Sequence, residues 1–346
     1  MSGLMSGLMR GPMRGPSALR ARVLGAGLAA CGLAALLLAP VAHAQAPFPH
    51  RAITYVVPYP AGGAADVFAR QLATELSRRL KVPVVVDNRA GANGNVGSAS
   101  VVRAPADGYT LLLGTASTVA INPHLYGKSM PYDPLVDLQA VSGTHAMANV
   151  LVVNTGTPYK TVQDVVAAAK ARPGALAYAS AGIGNTMHLA GEQFRMQAGI
   201  DLLHVPYKGG PPALNDVLGG QVPMMFNNLP AVAPMVKAGK LRALAVAATR
   251  RSPLLPDVPT MDEAGQKGLV STVWNGVFVR AGTPRPIVDL LNREIVAALA
   301  SPALRQTLEE QGFDVIPSTP DEFAALVRAD VPRWAAVVRE SGAKAE

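Results

Sequence analysis

The chain has 346 residues, one cysteine and six histidines, and its 31 lysines and arginines exceed its 23 acidic residues by eight. The basic residues are scattered and form no block, which argues against nucleic-acid binding. A single cysteine excludes an internal disulfide bond, and the length is sufficient for two lobes with separate cores.

The N-terminal segment 1–44 has the order of a secretory signal peptide. Four arginines and no acidic residue accompany an apolar stretch at 23–39, and the tripeptide Ala-His-Ala at 42–44 matches the pattern before a signal-peptidase cut. We predict cleavage between Ala44 and Gln45 and export to the periplasm. Removal of the four arginines leaves a mature chain with a net charge of +4.

Two other fates of this segment stay open. An uncleaved membrane anchor is disfavoured, because the apolar stretch is short for a bilayer span and is followed by Pro40. Lipid attachment at Cys31 is a minor alternative, since 28–31 (LAAC) has the order of a lipobox.

From residue 53 onward, short apolar strands alternate with amphipathic helices. The first part is predicted to contain strands at 53–59, 82–87 and 109–114 and helices at 66–80 and 98–103. The second part is predicted to contain strands at 150–153, 176–180, 202–205, 222–226, 241–247 and 274–279 and helices at 162–171, 188–198, 212–219, 286–300 and 320–341. This alternation is typical of an α/β protein with doubly wound sheets.

Two glycine-rich loops each connect a strand to a helix. The first is 60–66 (PAGGAAD), and the second is 181–188 (AGIGNTMH). Backbone N–H groups at a helix start carry about half a positive charge, so each loop is suited to an anion. Ligands of open α/β sheets bind outside the carboxyl ends of the strands, where both loops fall. We therefore predict one cleft that holds an anion between the two loops.

No glycine- or serine-rich linker separates the two parts of the chain, so we expect strands to connect two lobes. The predicted crossings lie near 149–152 and 272–276. Lobe 1 would then comprise 45–150 together with 275–346, and lobe 2 would comprise 151–274. Two connecting segments of this kind form a hinge that can close on a ligand.

The glycine loops belong to a longer series of motifs. In chain order, these are 59–66 (YPAGGAAD), 87–94 (DNRAGANG), 106–111 (ADGYTL), 180–184 (SAGIG), 188–192 (HLAGE), 204–209 (HVPYKG), 239–246 (GKLRALAV) and 255–260 (LPDVPT). The series resembles the Bug, or TctC-like, extracytoplasmic solute receptors, which are the substrate-binding proteins of tripartite tricarboxylate transporters. The resemblance implies a periplasmic-binding-protein (Venus-flytrap) fold, with two doubly wound lobes around a hinge and a central cleft.

The resemblance also implies the function of the chain. It would capture a small mono-, di- or tricarboxylate and deliver it to the membrane subunits of the transporter. It would act as a monomer, without metal, cofactor or nucleic acid. Family members hold a ligand carboxylate in the first glycine loop. Carried over residue by residue, the ligand-binding set is Tyr59, Ala61, Gly62, Gly63, Asp66, Ser180, Gly182, Gly184, Asn185, Thr186, His188 and Asn227.

Asn227 marks a departure from the family pattern. Many relatives have an aspartate after the Met-Phe of this strand, where this chain has 225–228 (MFNN). An aspartate could bind an amino group or repel a second carboxylate, whereas the neutral amide of Asn227 both donates and accepts hydrogen bonds. The expected ligand is therefore a carboxylate without an ammonium group.

Three residues near the loops have a structural interpretation as well. For Asp66, a role as helix cap or first-turn acid is favoured over contact with ligand. His188 would contact the ligand or support its loop, and the sequence does not separate these roles. His204 is interpreted as structural.

Two other classes of function stay open at this stage. A periplasmic sensor that presents its ligand to a signalling receptor would use the same closure. A secreted enzyme is disfavoured, because 182–184 (GIG) lacks the third glycine of a dinucleotide motif and neither loop carries the lysine of a phosphate-binding loop. The sequence also contains no Gly-x-Ser-x-Gly elbow.

Overall fold

The computed structural model describes residues 47–345. The predicted signal peptide 1–44, its cut between Ala44 and Gln45 and the alternative lipid attachment at Cys31 lie outside the described residues. Within 47–345, no helix combines the length and the apolar character that crossing a membrane requires.

Strands and helices alternate along the described chain. The strands are β1 (Ile53–Val57), β2 (Val84–Asn88), β3 (Thr110–Thr115), β4 (Leu138–Asn154), β5 (Ala177–Ser180), β6 (Leu203–Pro206), β7 (Met224–Asn228), β8 (Leu241–Val246), β9 (Thr272–Arg280) and β10 (Asp314–Val315). The α-helices are α1 (Ala64–Leu80), α2 (Asn95–Val102), α3 (Asn122–Tyr126), α4 (Pro134–Asp137), α5 (Val162–Ala171), α6 (Thr186–Ala198), α7 (Gly210–Leu218), α8 (Leu229–Lys237), α9 (Arg285–Leu299), α10 (Pro302–Gln311) and α11 (Pro320–Ser341). A π-helical segment, Ser117–Ile121, follows β3.

The strands form a continuous sheet in the order β2-β1-β3-β9-β4-β7-β5-β6. β1 pairs in parallel with β2 and β3, and β5 pairs in parallel with β6 and β7. β9 runs antiparallel between β3 and β4, and β8 and β10 add to β4 in the antiparallel sense. Two parallel, helix-connected groups of strands are thus joined by antiparallel strands.

Strand β4 is shared by both halves of this sheet. Its residues 138–148 pair with β9, and its residues 149–154 pair with β7 and β8. At the change of partner, the N–H of Asn149 donates to the carbonyl of Ser271 at 3.0 Å, and the carbonyl of Asn149 accepts from Ala247 at 2.8 Å. The two chain passages between the halves therefore meet at Asn149.

Each half buries its own apolar core. The first core includes Ile53, Leu72, Leu111, Phe278 and Trp334, and the second includes Leu151, Tyr178, Phe226, Leu244 and Met261. The first core draws on both ends of the described chain, because β1 and α11 both contribute side chains. The exact lobe boundaries, 45–150 with 275–346 and 151–274, stay a prediction.

The largest difference from the sequence-based elements concerns β4. The strand expected at 150–153 begins at Leu138, because pairing with β9 extends it through a stretch that has few β-branched residues. The periodicity also fails to predict α8, which carries Pro230 in its first turn and Pro234 in its interior. In both places tertiary contacts override local preference.

Candidate ligand-binding site

A cavity of about 300 Å³ opens between the two halves of the sheet. On the side of the first core, its wall is formed by the first glycine loop, the end of β3, one residue of β4 (Met147) and two residues of β9 (Val273 and Asn275). The starts of α6, α7 and α8 form its wall on the side of the second core. Several helix N-termini therefore converge on one space.

The first glycine loop is fixed by a carboxylate. Gly62 has a left-handed φ of 80°, and its N–H donates to Asp66 Oδ2 at 2.9 Å. Arg70 Nε donates to the same oxygen at 3.0 Å. Burial opposes the ionisation of Asp66, but hydrogen bonds from Arg70 and Gly62 outweigh it and hold the pKa of Asp66 below its usual range. Asp66 thus ties the loop to the first turns of α1.

Helix α1 begins at the cavity without a side-chain cap. Gly63 occupies the N-cap position, so Asp66 is a first-turn acid and not the cap. The first N–H groups of a helix have no acceptor within the helix. Those of Ala64 and Ala65 are in this position, and both residues line the cavity. The start of α1 therefore offers backbone donors and the positive end of a helix dipole to a ligand.

The end of β3 adds hydroxyl groups to the same wall. Tyr59 Oη and Thr115 Oγ1 lie 2.9 Å apart, and the N–H of Thr115 donates to Thr118 Oγ1 at 3.0 Å. Burial raises the pKa of Tyr59, so its phenol is neutral at pH 7. Ser117 opens the π-helical segment beside this pair and also lines the cavity.

The second glycine loop is supported by two histidines. The N–H of Gly184 donates to His188 Nδ1 at 3.0 Å, and the N–H of Gly182 donates to Ser180 Oγ at 3.2 Å. Ser180 Oγ is also 2.7 Å from Nε2 of His204. The rings of His188 and His204 stack with their centroids 3.9 Å apart. In the structure, His188 therefore supports the loop.

Both histidines are neutral near pH 7. Burial lowers the pKa of His188 to about 4, with a further contribution from the positive charge of Arg195. Burial also lowers the pKa of His204 to about 3, and the neighbouring His188 adds to the effect. Neutrality of His188 agrees with its hydrogen bond, since only an unprotonated Nδ1 accepts from Gly184.

Each of the three helices that start at the wall on the side of the second core lacks at least one free backbone donor in its first turn. In α6, the N–H of Met187 donates to Oδ1 of the N-cap residue Asn185 at 2.8 Å. The first turn of α7 contains Pro211 and Pro212, and that of α8 contains Pro230. Proline has no N–H group, so these helix starts are poorer in donors than the start of α1.

Asparagines complete the polar part of the wall. Asn227 is buried, and its Oδ1 accepts from the N–H of Asn228 at 2.8 Å. Asn228 Nδ2 donates to Asn149 Oδ1 at 3.0 Å, which links the wall to the strand crossing. Asn275 of β9 is 1% exposed, and its Nδ2 has no hydrogen-bond partner among residues 47–345.

The structure divides the sequence-predicted residues into two groups. Those in the cavity wall are Tyr59, Gly62, Gly63, Asn185, Thr186 and Asn227. Those outside the wall, in or beside the two loops, are Ala61, Asp66, Ser180, Gly182, Gly184 and His188.

Other residues of the cavity wall were not predicted from the sequence. Ser117 and Asn228 lie at the carboxyl ends of β3 and β7, so the rule that ligands bind there could have found them. Asn275 lies inside an antiparallel strand, where no motif marks it.

The part of the cavity wall that the structure describes contains no lysine, arginine, aspartate or glutamate. Among residues 47–345, no group of three or more histidine, cysteine or acidic side chains could hold a metal ion. An anion in this cavity would therefore be stabilised by N–H and O–H donors and by helix dipoles, without a counter-ion.

Glycines allow the two halves to approach each other across the cavity. A Cβ atom at Gly184 would overlap the side chain of Leu125, and a Cβ atom at Gly209 would lie 2.7 Å from Pro60 Cγ. Leu125 and Pro60 belong to the first half, whereas both glycines belong to the second. At these two points the halves are in contact across the opening of the cavity.

A second cavity of about 680 Å³ borders the other face of β4. Ala146 and Ala148 line this rear cavity, whereas Met147 between them lines the first one. Successive residues of a strand point to opposite faces, so β4 separates the two spaces. Arg250 and Arg305, from different halves, also border the rear cavity.

The two-lobed α/β architecture and the uncharged cleft between its halves define a solute-binding protein. Residues 68–343 match the family described as the tripartite tricarboxylate transporter family receptor, and the chain belongs to this family. It is 41% identical to the protein BugT of Bordetella pertussis over 323 residues, which are 93% of this chain and 97% of BugT. The predicted family is thereby confirmed, and it is a family of receptors and not of enzymes.

Solved structures of relatives agree with the fold. The Rhodopseudomonas palustris protein Rpa4515, solved with adipate, is 37% identical and has a TM-score of 0.83 over 86% of this chain and 99% of that chain. MatC (Rpa3494) from the same organism, solved with bound malate, is 32% identical and has a TM-score of 0.80 over 84% of this chain and 100% of that chain. The predicted periplasmic-binding-protein fold is confirmed.

Proposed function

We propose that this chain is a periplasmic receptor that captures a small organic acid, either a mono-, di- or tricarboxylate, and delivers it to the membrane subunits of a tripartite tricarboxylate-type transporter. The observation that carries the proposal is the uncapped start of α1 at an uncharged cavity. The N–H groups of Ala64 and Ala65 stabilise a carboxylate there, and no acidic side chain of the described wall repels it.

The relatives support this proposal. Two structures of similar proteins carry adipate and malate, which are both carboxylates. The family description names the transporter, which supports delivery to membrane subunits. The contacts of Gly184 with Leu125 and of Gly209 with Pro60 support a mechanism in which the halves close over the acid.

Export and release complete the proposal. The receptor is cleaved between Ala44 and Gln45, works as a monomer in the periplasm without metal or cofactor and releases its ligand unchanged. N-terminal sequencing of the exported protein tests the first point. A chain that starts at Met1, or one that carries lipid on Cys31, would contradict it.

Binding is tested by thermal unfolding with a panel of organic acids, sugars, amines and metal ions. A ligand that binds only the folded state raises the melting temperature by mass action. We expect a positive shift for at least one acid. Shifts produced by amines, sugars or metals alone would contradict carboxylate binding.

Uptake of the best acid by cells with and without this protein then tests delivery.

A further inference from the structure

We propose that Asn149 is a positioning residue for the ligand, whose side-chain amide holds two helix starts of the cavity wall against both chain passages between the halves. Asn149 itself lies outside the cavity wall, so it acts on the acid through other residues. This role rests on the proposed function and deepens it, because it names a residue that sets the affinity for the acid without touching it.

Asn149 joins the two passages through its backbone and its side chain. β4 carries the chain into the second half at Asn149, and Ser271 immediately precedes β9, which carries the chain back. Besides the backbone bond between these residues, Asn149 Nδ2 donates to Ser271 Oγ at 2.7 Å. The two residues are 0% and 1% exposed, so these bonds form in a medium of low dielectric, where they are stronger than in water. The two passages are therefore held together at this point.

The same amide reaches two residues of the cavity wall. Asn149 Nδ2 also donates to the carbonyl of Thr186 at 3.3 Å, and its Oδ1 accepts from Asn228 Nδ2 at 3.0 Å. Thr186 is the first residue of α6 and Asn228 is the N-cap of α8, and both line the cavity. One buried side chain thus binds the second passage and two helix starts at once.

The side chain of Asn228 is committed to this contact. Asparagine at an N-cap usually accepts a hydrogen bond from the second or third N–H of its helix. Asn228 makes no such bond to the described residues of α8, and it donates instead to Asn149, its direct partner in the pairing of β7 with β4. Movement of the start of α8 relative to the passages would break this buried bond and leave polar groups unpaired, which is costly. The position of the wall is therefore tied to the passages.

Affinity for the acid should depend on this tie. Groups that bind a ligand must be held within about 0.5 Å of their productive geometry by the residues behind them. In Asn149→Ala, the starts of α6 and α8 lose their shared anchor, and we expect acid affinity to fall by about tenfold or more. The probe is the acid that binds most tightly among acetate, benzoate, succinate, malate, adipate and citrate, and titration calorimetry measures its affinity.

Asn154→Ala is the matched control. Asn154 lies on the same strand, and its side chain also makes three hydrogen bonds, with Gly156, Val217 and Leu218. These three partners lie outside the cavity wall. A purely structural role for Asn149 would lower the melting temperature of both variants and the affinity of neither. We expect Asn154→Ala to lower the melting temperature and to retain the affinity of the unaltered protein.

A double-mutant cycle tests transmission through the wall. Because Asn149 acts through Asn228, Asn149→Ala should cost less affinity when Asn228→Ala is already present. The loss in the double variant should then be smaller than the product of the two single losses. A loss equal to that product would overturn the route through Asn228.

The outcomes separate this role from the function on which it rests. Unchanged affinity in folded Asn149→Ala, or an equal loss in Asn154→Ala, would overturn the positioning role and leave acid binding in place. Failure of all these acids to bind the unaltered protein would contradict the proposed function itself. Circular dichroism checks that each variant is folded, and Asn149→Ser replaces Asn149→Ala if the latter is not.

Discussion

The imidazole rings of His188 and His204 stack 3.9 Å apart beside the second glycine loop, and each ring is committed to a loop hydrogen bond. His188 Nδ1 accepts from Gly184, and Nε2 of His204 pairs with Ser180 Oγ. A proton on Nδ1 of His188 would remove its acceptor and place a charge against the second ring. The conformation of the loop is therefore coupled to the protonation of this pair.

The first prediction concerns acid stability. The pKa of His188 is lowered to about 4 and that of His204 to about 3, mainly by burial, from the ordinary value of 6.5. Between these values the unfolded chain binds more protons than the folded one. The contribution of the two neutral histidines to the free energy of unfolding is therefore fully present above about pH 6.5. It is lost as the pH falls towards about 4. Urea unfolding across this range measures the loss.

Two variants test whether the loss of stability at low pH comes from His188 and His204. His188→Asn retains an acceptor for Gly184 but does not titrate, so its stability should depend less on pH. His124→Asn, at an exposed histidine, is the matched control and should keep the original profile. Identical profiles for His188→Asn and the unaltered protein would contradict the assignment.

The second prediction separates the two glycines of the first loop. Gly63 has an ordinary φ of −79°, and an added Cβ would lie 3.7 Å from the carbonyl of Pro60 and 3.8 Å from Pro211 Cδ, which is normal contact. Gly63→Val should therefore fold normally while its side chain blocks approach to the start of α1. We expect loss of acid binding in calorimetry, with an unchanged melting temperature of the free protein.

Gly62 differs from Gly63 because its backbone conformation, and not the space around it, disfavours a side chain. Its φ is 80°, and an added Cβ would meet no atom within 4 Å. Gly62→Ala should therefore lose about 1–2 kcal/mol of unfolding free energy through backbone strain alone. Undiminished acid binding in Gly63→Val would eliminate the loop as the carboxylate site.

The third prediction concerns Asp66 as the residue that fixes this loop. Asp66→Asn keeps the size of the side chain but loses the charge that faces Arg70 and the acceptor strength towards Gly62. We expect a loss of about 1–3 kcal/mol in unfolding free energy, since Asp66 is 3% exposed. Acid affinity should weaken as well, because the turn at Gly62 is no longer fixed. Glu309→Gln, which breaks the exposed pair with Arg305, should change stability little.

The fourth prediction tests closure of the cleft. Gly184→Ala places a Cβ against Leu125 and also strains a residue with a φ of 72°. It should weaken acid binding and abolish the ligand-induced decrease in radius of gyration, measured by X-ray scattering. Leu125→Ala removes the contact but not the strain, so the affinity that the double variant recovers belongs to the contact. No recovery in the double variant would count against closure through this pair.

The sequence predicts this molecule well where local pattern and tertiary structure agree. Helix α11 was expected at 320–341 and is found there, because its cap, periodicity and length are all local properties. The start of β4 at Leu138 was not expected, because pairing with β9, far along the chain, defines it.

The residues of the site divide in the same way. The glycine loops were found because a turn with positive φ demands glycine, as Gly62 and Gly184 show. Asn275 is not predicted from the sequence, because its position in the cavity wall follows from the pairing of β9 with β3, where Thr115 is its partner. The geometry of a glycine loop is encoded locally, whereas sheet pairing between distant segments brings a strand residue such as Asn275 to the cavity.

Because Ala146, Met147 and Ala148 alternate between the two faces of β4, the volumes of the front and rear cavities are coupled. One strand is the partition between two cavities, so a rotation of the halves about it that narrows the front space widens the rear one. Arg250 and Arg305 border the rear space from different halves and would move apart as the front closes. The distance between these two positive charges would then depend on whether the front cavity is open or closed, on a surface that does not line the front cavity.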